Sequence, residues 1–321
     1  MPSQTNELAL EITIEKYLTG ISIEELRTNA VAEDATAYGG LGYYVGNPND
    51  YNARFAVDEV RFWDFLEKTQ PEELQKLKRE SDWQLKILDR LDKIIKKYGI
   101  LRVLKKGLAV DDAHFTFFYV APLQYSSATV KENFQKNQFS VTRQLRYSVN
   151  NPLEEIDMAL FINGIPISTI ELKNHWTGQN ARVHGINQYK FKRDITQPLL
   201  NFGRCIVHFA IDTDEIYMTT KLDGAKTFFL PFNLGNNFGK GNPANPFGHK
   251  TAYFWQEILK KESIANIIQH FVRFDGGEKE PLSKKTLYFP RYHQLDVVRR
   301  LIKDTSSNGA GKKYRQSRVL V

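Results

Sequence analysis

The chain has a single cysteine, Cys205, among its 321 residues. One thiol cannot close an internal disulfide or build a cysteine-cluster zinc site, so a reducing compartment is expected and the cytoplasm fits. The seven histidines are scattered and no H-E-x-x-H occurs, which argues against a helix-borne hydrolytic zinc site. No stretch approaches the roughly 18 apolar residues of a membrane helix. The N-terminus, MPSQTNELAL, has neither the charged start nor the apolar run of a signal peptide. The expectation is a protein that neither spans a membrane nor is secreted. There is no internal repeat or long low-complexity tract. The glycine-rich stretch GNNFGKGN looks superficially like a phosphate loop, but its spacing is wrong and no Ser or Thr follows Lys240, so a Walker A site is rejected here.

What is present is the balance of a folding chain: 41 % hydrophobic, 25 % charged and 12 % aromatic residues. Its length suggests one large core with a smaller appendage. A net charge of +7 and a pI near 9.2 favour a polyanionic partner, because Lys and Arg release counterions from phosphates.

Helical signals come first. Leu8, Ile12 and Leu18 fit a helix from about Thr5 to Leu18. From Val57 to Tyr98, Pro71 suits a first helical turn and Ser81 with Gln84 forms a capping box. Leu88, Leu91, Ile95 and Tyr98 recur at helical spacing before Gly99 closes the helix. The basic residues here, among them Lys86, Arg90, Lys93 and Lys97, suit a solvated face as well as a DNA contact. From Ile100 the pattern turns to β-branched and aromatic runs. These predict strands over Ile100 to Val110, His114 to Val120, Phe139 to Ser148, Ile156 to Ile162, Ile165 to Lys173 and Cys205 to Thr219. Helices are expected from about Gly178 to Arg193 and from Ala252 to Phe274, and the order indicates a mixed α/β core. Residues 231–249, rich in Gly, Asn and Pro, read as an exposed loop.

The chemistry concentrates in EIDMALFINGIPISTIELKN, Glu155 to Asn174. Two apolar strands flank an Asn163-Gly164 turn, and each bears charges among residues that otherwise favour burial. Glu171 and Lys173, two apart on one strand, share a face while Leu172 points into the core. Carboxylates to hold a hard cation beside a protein cation are what phosphodiester cleavage requires. Asp157 joins them only if the connection adds an odd residue, since a plain two-residue loop places Asp157 and Glu171 on opposite faces. A three-residue loop with a left-handed Gly164 and a bulge meets that demand. The bland alternative is a hairpin whose acids and bases pair on a solvated face.

The stretch RQLRYSVNN…EIDMALFINGIPISTIELKN, followed by IYMTTKLDG…TFFLPFNLG and AYFWQEIL, resembles the N-terminal part of the R (restriction and translocation) subunit of type I restriction enzymes. The likeness runs from about Glu11 to the end of the chain. It implies a restriction-endonuclease-like α/β fold with a mixed central sheet flanked by helices, and a PD-(D/E)xK centre of Asp157, Glu171 and Lys173. Asp157 and Glu171 with the Leu172 carbonyl would hold Mg²⁺, and Lys173 would orient water or stabilise the charged phosphorane. An acidic residue of the first helix matches Glu11. Of the family's Q-x-x-x-Y motif, Gln188 supplies the glutamine, but Lys192 stands where the tyrosine belongs. Tyr189, directly after Gln188, would leave the helix in another direction. Arg182, Lys190, Lys192 and Arg193 are candidate contacts to the DNA backbone on that helix.

Near the end, FPRYHQ resembles the entry to the family's helicase-like motor, where Gln294 would recognise adenine. The sequence stops before any Walker A, so ATP binding is expected of a full-length enzyme only. The expected division is an endonuclease domain over 1–275, a linker at 276–285 and a truncated start of the motor domain at 286–321. Double-stranded DNA and the modification and specificity subunits are the implied partners. A catalytically idle DNA-binding or assembly module, and a metal-dependent nuclease of repair or RNA processing, are the alternatives. DNA binding without metal-dependent nicking would mark the first, and a substrate panel the second.

Overall fold

In a computed structural model, which describes residues 7–28, 39–123, 125–174, 178–277 and 280–308, the β-prone runs collect into one seven-stranded sheet whose spatial order follows the chain. Its strands are β1 (Tyr44–Val45), β2 (Phe139–Arg146), β3 (Glu155–Ile162), β4 (Ile165–Leu172), β5 (Val207–Ile211), β6 (Ile216–Thr219) and β7 (Leu230–Pro231). β1–β2 and β4–β5 are parallel and the other neighbours antiparallel, so the sheet is mixed, as expected. The β4–β5 pair cannot be joined by a hairpin, and the chain between them must cross the sheet. That crossover carries the segment that covers the candidate site.

The helices are α1 (Glu7–Thr19), α2 (Ile23–Thr28), α3 (Glu59–Thr69), α4 (Pro71–Leu77), α5 (Trp83–Tyr98), α6 (Ile100–Lys106), α7 (Ala128–Gln135), α8 (Lys261–Asn266) and α9 (Tyr292–Asn308). A large core takes Ile170 and Leu172 of β4, Phe209 of β5, Ile14 and Leu18 of α1 and Leu91 of α5. A smaller one gathers Leu145, Ala159, Phe161, Tyr189 and Leu199. Toward the C-terminus, Arg273–Asp275 pairs with Thr286–Tyr288, bracketing the stretch expected to be a linker. The Phe289 ring then stands 5.9 Å from that of Phe209 in the large core. Residues 309–321, the end of the expected motor segment, lie outside the described residues.

Several local expectations change. Ile100 to Val110 is not one strand: α6 occupies its first part and Leu108–Val110 its last. Ile100, Leu101, Val103 and Leu104 are all buried, at helical spacing, and Lys105 and Lys106 complement the helix end before Gly107 turns left-handed. The next strand is only Ala113–Phe115, and Cys205 to Thr219 divides into β5 and β6. The Ser81 capping box is absent; α5 starts at Trp83 after Asp82, which makes no side-chain cap. Pro71 opens α4 and Gly99 ends α5, as read. Ala252 to Phe274 is broken at Lys260, whose extended backbone separates a π-helical turn from α8.

Candidate active site

Asn163 (φ 53°) and Gly164 (φ 75°) are both left-handed, and Ile162 pairs with Ile165, so the β3–β4 turn is a two-residue loop. This differs from the three-residue loop considered above, and the reason lies in twist: two left-handed residues match the right-handed twist of the flanking strands. The odd residue sits inside the hairpin instead. Phe161 pairs with Pro166, but Leu160 pairs with Ser168, leaving Ile167 as the bulge. Pro166 has no N–H to give the ladder, and a bulge is where a central strand tolerates proline. The parity switch is visible in the core: Ile165 and the bulged Ile167, and then Ile170 and Leu172 beyond it, all enter the large core. Glu171 is therefore turned to the opposite face. Met158 pairs with Ile170, and one step further the register sets Asp157 opposite Glu171.

There the ladder ends, and the Leu172 N–H donates to Asp157 Oδ2 at 2.7 Å. Lys173 Nζ donates to the Leu172 carbonyl and lies 3.8 Å from Asp157 Oδ2 and 3.4 Å from Glu7 Oε2. Glu171 is wholly buried, with Arg193 Nε on Oε1 at 2.6 Å and Nη2 on Oε2 at 3.0 Å. Burial and the charge of Asp157 push the Glu171 carboxyl up, against the pull of Arg193 and Lys173. Hard divalent cations take oxygen ligands. Two crowded carboxylates and a carbonyl, already drawing two protein cations, are a donor set that fits such an ion. Among the described residues no group of three or more His, Cys, Asp and Glu side chains is arranged for a metal; the donor set here is two carboxylates and the backbone oxygen of Leu172.

The crossover from β4 to β5 covers this face with a widened helix, π-helical over Ala181–Gly185 and again over Gln188–Lys192. Asp212 Oδ2 accepts the Ala181 N–H at 2.7 Å and anchors its start. Three residues four apart meet the Thr169, Glu171 and Lys173 face. A Cβ on Gly185 would stand 3.5 Å from Lys173 Cγ and 3.0 Å from Ala210 Cβ, so glycine sets the closeness of packing. The Tyr189 hydroxyl pairs with Thr169 Oγ1 at 2.8 Å, which also pairs with His208 Nδ1 at 2.7 Å. Burial pulls His208 down to about 3, keeping the imidazole neutral. The third residue is Arg193.

On the other flank, Glu11 of α1 is buried, with Oε1 accepting from Gln144 at 2.7 Å and Oε2 from Arg143 Nε at 3.2 Å. Burial pushes Glu11 up to about 7, opposed by the Gln144 bond and reinforced by the charge of Asp157. Arg143 also holds Glu15 Oε2 at 2.9 Å and Glu24 Oε2 at 3.0 Å, tying α1 and α2 to β2. Gln144 is left-handed (φ 49°) at the strand position facing Asp157, between the pairs Arg143–Met158 and Leu145–Ile156. Backbone of that kind inside a strand is a local cost borne at a site.

The structure thus brings together Asp157, Glu171, Leu172 and Lys173, with Glu11 beside them. Gln188 is half-exposed and its side chain makes no hydrogen bond among the described residues, while Tyr189 is directed into the smaller core. Arg182 and Lys192 are exposed and Lys190 half-buried on the covering helix, whereas Arg193 turns inward to Glu171. Gln294 is exposed at the start of α9, its side chain accepting the Arg291 N–H at 3.0 Å. Sequence reasoning missed Arg143, Gln144 and the Thr169–Tyr189–His208 group. Arg143 had a signal: it is a charge set between the apolar Val141 and Leu145 of a strand, and all three are buried.

Comparison with known proteins follows the same lines. The family described as "Type I restriction enzyme R protein N terminus" matches residues 40–227, more than half of the chain. A relative from Methanocaldococcus jannaschii named "Putative type I restriction enzyme MjaVIIIP endonuclease subunit" is 28 % identical over 189 residues, covering 57 % of this chain and 16 % of the relative. A second from that organism, "Putative type I restriction enzyme MjaIXP endonuclease subunit", is 24 % identical over 200 residues, covering 54 % of this chain and 17 % of the relative. The chain thus spans only a minor part of the length of either.

Proposed function

The chain belongs to the type I restriction enzyme R protein N-terminal family, and on that premise we propose that it carries a Mg²⁺-dependent endonuclease centre for double-stranded DNA. The observation that carries this is the bulge at Ile167, which turns Glu171 to the face of Asp157 with Lys173 beside both. Asp157, Glu171 and the Leu172 carbonyl would hold the ion. Bound there, Mg²⁺ would polarise the attacked phosphate and lower the pKa of a water. Lys173 is buried with its ammonium directed at the Leu172 carbonyl and Asp157, where it can stabilise charge growing on the phosphate. The exposed Arg182 and Lys192 on the covering helix are available to neighbouring backbone phosphates.

Site recognition and methylation are assigned to the modification and specificity subunits, and ATP to a motor in the full-length enzyme that Gln294 would help to form. The test uses Asp157→Ala and Lys173→Ala in the assembled enzyme, with DNA binding by the chain measured at fixed salt. Cleavage should fall by about a hundredfold or more in each, while DNA affinity changes little because other basic residues share the contacts. Folded variants that both cut at the wild-type rate would place the nuclease elsewhere.

A further inference from the structure

Both oxygens of Glu171 are engaged by one side chain, the Arg193 fork, at 2.6 and 3.0 Å. That carboxylate is wholly buried, while the Arg193 side chain keeps 10 % of its surface exposed. Any divalent cation that takes Glu171 must therefore displace or share this guanidinium. Arg193 closes the last turn of the covering helix, with its own N–H on the Gln188 carbonyl and its backbone extended. Its side chain can swing outward there without unwinding the helix.

We propose that Arg193 is an exchangeable counter-cation: it holds Glu171 until a divalent ion takes that carboxylate, and then offers its fork to a DNA phosphate beside the bond being cut. The inference rests on the reading of Asp157 and Glu171 as the divalent site.

The neighbouring acids explain why the released fork seeks an external anion. Asp194 is already bonded to Thr196 Oγ1 at 2.6 Å and Gln197 Nε2 at 2.7 Å. Glu154 accepts the Tyr147 hydroxyl at 2.6 Å. A planar guanidinium matches two phosphate oxygens as well as two carboxylate oxygens, and it cannot escape by losing its proton. Lys190 and Lys192 precede Arg193 on the same helix, so the anion it meets outside lies along a basic edge.

Mn²⁺ binding to the full chain, followed by calorimetry, separates the outcomes for wild type, Arg193→Met, Arg193→Lys and Glu171→Gln. Arg193→Met, relieved of the competing cation, should bind Mn²⁺ at least about tenfold more tightly than wild type. Arg193→Lys, with a single ammonium in place of the fork, should fall between them, and it decides the matter if the methionine variant does not fold. With Ca²⁺ present, both variants should bind a DNA duplex several-fold more weakly than wild type. Equal or weaker Mn²⁺ binding in the folded variants, or DNA binding unchanged with Ca²⁺ present, would overturn the exchange. If Glu171→Gln leaves Mn²⁺ binding as it is in wild type, the divalent site itself is misplaced, which is a separate failure.

Discussion

Replacing Asn163 with aspartate tests the turn that sets the register of the hairpin carrying Asp157 and Glu171. Asn163 is wholly buried; its Oδ1 accepts the Gln138 N–H at 2.6 Å, and its Nδ2 donates to the Phe117 carbonyl at 2.9 Å and Asn137 Oδ1 at 3.0 Å. Aspartate tolerates the left-handed backbone much as asparagine does, so the conformational part cancels. An ionised carboxylate would oppose two acceptor oxygens without water, so the side chain must stay protonated. Near pH 7, with a free value of about 3.9, this costs about 4 kcal/mol at about 1.4 kcal/mol per unit. The acid has one O–H where the amide had two N–H donors, and losing one bond adds about 1 kcal/mol. The total is about 5 kcal/mol near pH 7 and about 1 kcal/mol near pH 4. The sign follows from proton counting: above pH 4 the unfolded chain releases a proton that the native state keeps, so stability falls as pH rises. Urea unfolding of wild type and Asn163→Asp at three pH values measures the slope. A destabilisation below about 1 kcal/mol at pH 7, or one independent of pH, would refute the reasoning.

Arg143→Met strands Glu11 and Glu15, and unfolding at pH 8 should show a loss of about 3–5 kcal/mol. Burial already raises both carboxyls, Glu11 to about 7. Their contribution to wild-type stability is therefore greatest below their free values and declines as pH rises towards 7, and the variant's deficit should shrink in acid. Tyr189→Phe removes the hydroxyl that pairs with Thr169 Oγ1, itself bonded to His208, and should cost about 1–3 kcal/mol in denaturant unfolding. Gly164→Ala adds left-handed strain, and its Cβ would stand 2.5 Å from the Asp58 carbonyl and the Phe62 nitrogen. A fall of roughly 2–4 kcal/mol is expected by thermal or urea unfolding, and an unchanged midpoint would show that the turn can shift away from α3.

Features that depend on neighbours along the chain were legible in the amino-acid order. The strands of the hairpin, the Asn163-Gly164 turn, the shared face of Glu171 and Lys173 and the inward Leu172 all follow from a period of two and one left-handed turn. Pro71 and Gly99 marked helix boundaries because their backbone limits are their own. The run from Ile100 was misread because its aliphatic residues satisfy a strand and a helix alike, and burial decided for the helix. The face of Asp157 against Glu171 was open until the strands paired in three dimensions, since the odd residue could lie in the loop or in the strand, and it lies in the strand beside Pro166. The tertiary structure alone paired Arg193 with Glu171 across 22 residues and Arg143 with Glu11 across 132. Such pairs leave no local pattern: a charge names the sign of its partner, but the fold chooses which partner it meets.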